Sequence, residues 1–123
     1  MTDCLMVGLG GFIGSAGRYL LGKVPVSMAG GFPIQTFFIN LLGCFLIGCL
    51  AAVAERETAI SPRTILFLKT GFCGGFTTFS TFALETSALM EGGHIGTAFL
   101  YVVLSATLGV ALVFAAELWL RAA

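Results

Sequence analysis

From Pro33 to Ala54 the chain carries no charged residue, and that constrains it more than any other feature. A helix of about 20 apolar residues spans the roughly 30 Å hydrocarbon core of a bilayer. Three other stretches are also long and apolar, though each carries some charge: about Cys4 to Leu21, about Pro62 to Met90, and about Ile95 to Leu120. Together the four use most of the 123 residues, which leaves no soluble domain. Only 10% of residues are charged, too few to coat a water-exposed surface, since soluble domains run at about 25%. Six basic residues balance six acidic ones, so no positive field is available for nucleic acid. The expected fold is therefore an all-α membrane protein of one domain with four transmembrane helices. The first stretch does not read as a signal peptide, because no basic region precedes it and Asp3 is the only charge ahead of the apolar run.

The connections are short: Gly22–Phe32, the polar Glu55–Ser61, and the Gly-Gly turn of Glu91–His94. Four spans put both termini on one side. That side carries Arg56, Arg63 and Arg121, and the opposite side Arg18 and Lys23. Orientation in a bilayer follows the bias of Lys and Arg between sides. Here the bias is nearly nil, so the expectation is dual topology, with each chain paired to an inverted copy of itself.

The third stretch is too long for one span, and its middle reads poorly as helix. Gly71, Gly74 and Gly75 each lower helix propensity by about 1 kcal/mol relative to Ala. Thr77, Thr78, Ser80 and Thr81 add four hydroxyls at bilayer depth. Gly71 and Gly75 have the spacing of a close helix-packing surface, as do Gly10 and Gly14 in the first stretch. The sharper reading is a discontinuous helix with a break near residues 71–77. Freed carbonyls there, near Gly74 and Thr77, would suit a hard cation.

Several polar and aromatic residues recur at helical spacing. Phe76, Phe79 and Phe82 would share one face after the break, either as packing or as ring edges, weakly positive, that attract an anion. Ser80 and Thr81 interleave with them. Asn40 lies in the charge-free second stretch, as interhelical glue or as a pore-lining donor. Tyr101 and Ser105 share a face, with Thr107 and Gly109 beyond, as a polar track or as an interface. Arg18 falls near the far interface, where it would snorkel or line a vestibule, and Lys69 can snorkel too. Glu85 is expected to face protein rather than lipid, and His94 to be a solvated loop residue. The four cysteines read as small buried hydrophobes without disulfide or metal. Gly8–Gly14 fails as a dinucleotide fingerprint, because Ile13 stands where the third glycine belongs and no strand precedes it. No catalytic constellation is present, so no enzyme is expected.

Three motifs carry a family resemblance. They are Gly10-Gly11-Phe12-Ile13-Gly14 with Arg18-Tyr19, then Asn40-Leu41-Leu42-Gly43 with Gly48, and above all the run Gly71 to Phe82, GFCGGFTTFSTF. Through them the chain resembles the Fluc (CrcB) fluoride channels of prokaryotes over nearly its whole length. The resemblance implies an antiparallel homodimer in the inner membrane with two pores and passive fluoride efflux. It implies a structural sodium ion at the dimer interface, on backbone carbonyls matching Gly74 and Thr77. Asn40, Phe79 and Phe82 match the fluoride path, and Ser80, Thr81, Tyr101 and Ser105 its polar side. Arg18 and Glu85 match charged positions of the family. Gly109 departs from members that carry another hydroxyl one turn after Ser105.

Two rival readings stand beside this one. The first is a proton-coupled transporter of fluoride or another small solute, which would rely on Glu85 because the first stretch holds no carboxylate between Cys4 and Leu21. The second is an assembly subunit that carries nothing.

Overall fold

The computed structural model describes residues 1–56 and 60–123. Residues 57–59, in the middle of the polar connection expected over Glu55–Ser61, lie outside the described residues. Among the described residues the chain is helical, with no strand. Helix α1 is Thr2–Gly22 and α2 is Ile34–Arg56. Helix α3 is continuous over three pieces, Pro62–Ile65, Leu66–Cys73 in π conformation, and Gly74–Phe76. Helix α4 is Phe79–Glu91 and α5 is Ile95–Ala122. Helices α1, α2 and α5 are each long and apolar enough to cross a membrane. The third apolar stretch of the sequence is divided between α3 and α4.

Glycine sets the geometry of the α1–α3 pair. A Cβ at Gly10 would lie 2.9 Å from the Phe72 nitrogen, and one at Gly14 would lie 2.8 Å from that of Phe76. From the other side, a Cβ at Gly71 would lie 2.7 Å from the Val7 carbonyl oxygen and 3.0 Å from Gly10 Cα. The two backbones touch, and only residues without side chains allow it. Helix association in lipid depends on such close packing rather than on exclusion of water. Helices α2 and α5 form the second tight pair. There a Cβ on Gly48 would lie 2.6 Å from the Val113 carbonyl oxygen, and one on Gly109 would lie 3.3 Å from Cys44 Sγ. Gly109 thus fills a helix crossing, where a larger side chain would press on α2.

The interruption falls at Thr77 and Thr78, later than the glycine run that the sequence pointed to. Both threonines are extended, with φ −81°, ψ 160° and φ −150°, ψ 113°. Gly71, Gly74 and Gly75 are helical, because the contact of Gly71 and Gly75 with α1 compensates for their poor propensity. Phe76 therefore does not share a face with Phe79 and Phe82. It precedes the break, is buried, and stacks on Phe72 at 5.6 Å.

Exposed ion pairs close one end of the bundle. Asp3 meets Arg63 at 3.4 Å, and Glu55 meets Arg121 at 2.9 Å. Arg56 also donates to the Leu120 carbonyl. Pairs this exposed contribute about 1 kcal/mol at most. Of the cysteines only Cys73 is buried; Cys44 and Cys49 are half-buried and Cys4 is exposed, all of them free. The expectation of four buried thiols fails at Cys4, which lies near the start of α1, away from the α1–α3 crossing. His94 is exposed at the α4–α5 turn.

Candidate functional site

A broken helix leaves carbonyls and N–H groups that need partners. Here the supply is specific. The Thr77 N–H and hydroxyl both donate to the Cys73 carbonyl, at 3.0 and 2.9 Å. Thr78 caps α4, its hydroxyl oxygen accepting from the Thr81 N–H at 3.2 Å. Asn40 on α2 faces the break. Its Nδ2 donates to the Thr78 carbonyl at 3.1 Å, while the Thr78 N–H donates to its Oδ1 at 2.8 Å. Arg18 reaches over from α1, Nε donating to the Gly75 carbonyl at 3.2 Å. A cation at the C-terminal end of α3 also complements the helix dipole.

Beyond the break the aromatic rings form a line. Phe79 lies 5.6 Å from Phe82, and Phe82 lies 4.9 Å edge-on from Tyr101. Phe79 is 80% exposed, Phe82 half-buried and Tyr101 fully buried. Ser80 is exposed beside Phe79, and Thr81 is half-buried. Tyr101 packs in the core with Phe37, Leu41, Leu89 and Ala98.

Glu85 sits one turn beyond Phe82 and its carboxylate is held by two helices. Tyr101 donates to Oε2 at 2.7 Å and Thr36 donates to Oε1 at 2.7 Å. Both bonds are short. Removing one donor leaves part of a carboxylate unpaired. Tyr101→Phe is therefore expected to lower the chain's stability by about 1–2 kcal/mol, read as a lower melting temperature in detergent; an unchanged melting point would mean that the hydroxyl carries no load.

One turn along α5 from Tyr101, the Ser105 hydroxyl is buried with no hydrogen-bond partner, the only such side-chain atom among the described residues. Thr107 does not extend a track from there. It is exposed and donates to the Val103 carbonyl of its own helix.

An open cavity of about 370 Å³ runs along this site, lined by Arg18, Tyr19, Lys23, Gln35, Thr36, Thr78, Thr81 and Glu85. Lys23 lies over the Tyr19 ring at 4.6 Å. Two basic residues thus stand over hydroxyls and one carboxylate. Lys69 is outside this group and exposed.

Among the described residues no His, Cys, Asp and Glu cluster could hold a metal ion. Backbone oxygen is a different matter, since the carbonyls of Gly74 and Thr77 accept no hydrogen bond there. Gly74 is exposed, with open space beside its Cα. Unpaired carbonyls are hard donors, so the residues present fit a cation such as sodium.

The chain matches the family described as CrcB-like protein, Camphor Resistance (CrcB), over residues 5–117. It belongs to the CrcB family. A protein named fluoride-specific ion channel FluC from Chlorobaculum tepidum is 48% identical, over 97% of this chain and 98% of its own. Proteins of the same name from Methylobacillus flagellatus and Oceanobacillus iheyensis are 44% and 46% identical, each over 93% of this chain and over 91% and 88% of their own lengths.

In this CrcB chain, then, Asn40, Arg18, Thr81 and Glu85 gather around the break and its cavity, and Phe79, Phe82 and Tyr101 form one aromatic line. Ser105 lies one turn along α5, and Gly74 and Thr77 present carbonyls beside the break. Thr36 was not visible as a functional residue. Its only sequence signal is a hydroxyl four positions before Asn40, on the same face of α2.

Proposed function

We propose that the chain is a fluoride-selective channel that lets fluoride leave the cell passively, lowering its cytoplasmic toxicity, through two pores of an antiparallel homodimer in a prokaryotic inner membrane. Helices α3 and α4 together make the fourth crossing. The relatives' shared name supports fluoride as the ion, and the family is one of channels rather than enzymes. The observation that carries the reading in this chain is the Ser105 hydroxyl, a buried donor without an acceptor, one turn from an aromatic line. An unpaired donor at bilayer depth is costly unless something accepts from it, and a small anion can. Hydroxyls and ring edges attract fluoride without a fixed charge that would hold it too long.

The dimer follows from the break. Lipid does not tolerate irregular backbone on its own side of a protein. Here Phe79, Ser80 and Gly74 lie at an uncovered surface, with half-buried Thr77 beside them. A second copy covers them, and the near balance of Lys and Arg between the two ends favours an inverted one. Sodium on the Gly74 and Thr77 carbonyls of both copies would neutralise those oxygens and hold the interface.

The purified chain in liposomes loaded with fluoride is expected to empty them, read by a fluoride electrode, without a proton gradient and without comparable loss of chloride. Flux that requires a proton gradient would favour the coupled transporter working through Glu85 and overturn the channel. Absence of flux would leave an assembly subunit. Cysteine labelling from both sides of intact cells tests the inverted pairing; labelling from one side only rejects it.

A further inference from the structure

We propose that Asn40 is a positioning residue that acts through the backbone of Thr78. The inference rests on the channel reading above and adds to the direct role that the family resemblance implies for this side chain.

Asn40 is the only asparagine in the chain. Its carboxamide and the Thr78 peptide groups exchange two hydrogen bonds, of 3.1 and 2.8 Å. That is the reciprocal pattern of a hydrogen-bonded residue pair in antiparallel strands, with a side chain standing in for the second strand. The pairing uses the single amide oxygen as acceptor and one of the two amide hydrogens. It also serves a residue at the break itself. Thr78 is extended and is the N-cap of α4, so its N–H has no partner within that helix.

The other groups of Thr78 are fixed as well. Its hydroxyl donates to Thr81 Oγ1 at 2.9 Å and accepts from the Thr81 N–H at 3.2 Å. Thr78 is therefore clamped to α2 by its backbone and to α4 by its side chain. The next residue is Phe79, first of the helix that carries Phe82 and Glu85. The clamp sets where α4 starts and in what direction it leaves, and so where both rings stand. A pore that tells fluoride from larger halides needs its lining fixed within a fraction of an ångström. Without the clamp, α4 would still be a helix, but its first turn would no longer be tied to α2.

A backbone substitution separates the clamp from a direct ligand. Replacing Thr78 by its α-hydroxy analogue turns its N–H into an ester oxygen, which cannot donate to Asn40, and leaves the Asn40 side chain intact; the same ester weakens the Thr77 carbonyl, an effect that would persist without Asn40 and is separated by the combination with Asn40→Ala. This chain, Asn40→Ala and the combination are compared in liposomes for fluoride flux and for fluoride preference over chloride. The clamp predicts that each single change lowers fluoride flux about tenfold and weakens the preference, with the combination no worse than Asn40→Ala alone. Ester flux equal to wild type, or effects that multiply, overturns it. Should the ester chain not assemble, the α-hydroxy analogue of Phe79 decides. It leaves the Thr78 N–H and the Asn40 side chain intact and makes the Thr78 carbonyl a weaker acceptor for Asn40 Nδ2, while the lost Phe79 N–H, in the first turn of α4, has no helical partner to lose; the clamp predicts a loss of flux that vanishes in the Asn40→Ala background, and flux equal to wild type overturns it. Wild-type liposomes that release no fluoride would defeat the channel reading itself, whereas conducting wild type beside an unaffected ester defeats only the role given to Asn40.

Discussion

Gly75→Leu is expected to abolish the folded protein. A Cβ at position 75 would stand 2.9 Å from Gly11 Cα and 3.0 Å from the Gly11 carbonyl carbon, with the carbonyl oxygen closer still. All three are backbone atoms of a helix that is itself pinned to α3 at Gly10 and Gly14, so nothing flexible can move aside. Overpacking a good core costs about 1–3 kcal/mol where neighbours can shift; here the two helices must separate, and the cost should exceed that range. Their separation would also remove the support of the break, because Arg18 reaches the Gly75 carbonyl from α1. Gly96 provides the control. It is helical, near the start of α5, yet a Cβ there meets nothing within 4 Å. Gly96→Leu should therefore purify and melt like the wild type, while Gly75→Leu gives aggregate or no protein by size-exclusion chromatography in detergent. A monodisperse Gly75→Leu with wild-type melting would mean that α1 and α3 are not in backbone contact.

The glycine run shows what the sequence can and cannot reveal about this fold. Long apolar stretches made the helices legible, because hydropathy over a span is a local property that packing does not alter. The interruption was legible as well, from glycines and hydroxyls where lipid-facing residues were expected. Its position was legible only in part, since the expected 71–77 takes in Thr77 but centres on the glycines. Propensity counts Gly71, Gly74 and Gly75 against a helix, at about 1 kcal/mol each, but contact with α1 from a distant part of the chain outweighs that local term. The break moves to Thr77 and Thr78, where Asn40 and the threonine hydroxyls satisfy the backbone. That shift also resets the helical phase, which is why Phe76 leaves the line that spacing gave it. Glu85 and Tyr101 stood out separately as polar residues in apolar surroundings, but their hydrogen bond joins residues 16 positions apart across a turn. Thr36 stood out least, since its partner Glu85 lies 49 positions away and a threonine on a helix is unremarkable until it meets a carboxylate.

The second large effect is expected at the aromatic line, where fluoride flux should fall roughly tenfold or more in Phe79→Ile and in Phe82→Ile, the equivalent of about 1.4 kcal/mol on the barrier. Isoleucine keeps apolar bulk and removes the positive ring edge, so the substitution separates electrostatics from packing. The two positions divide in a useful way. Phe79 is 80% exposed in the single chain and touches Phe82 at 5.6 Å, so its replacement should leave the chain's own stability nearly unchanged. Phe82 makes an edge-on contact with the buried Tyr101 ring at 4.9 Å. Loss of that pair should cost about 0.5–1.5 kcal/mol beyond area burial, and the melting temperature should fall along with the flux. Phe79→Ile is therefore the cleaner experiment, because a folded, dimeric protein that no longer conducts cannot be explained by damage to the core. Phe79→Tyr sharpens it further, since tyrosine retains a ring edge and should retain most of the flux. If Phe79→Ile conducts as well as wild type, the exposed ring is only a lipid or subunit contact; if Phe82→Ile does so too, the attraction for fluoride must come from the hydroxyls of Ser80, Thr81 and Ser105 alone.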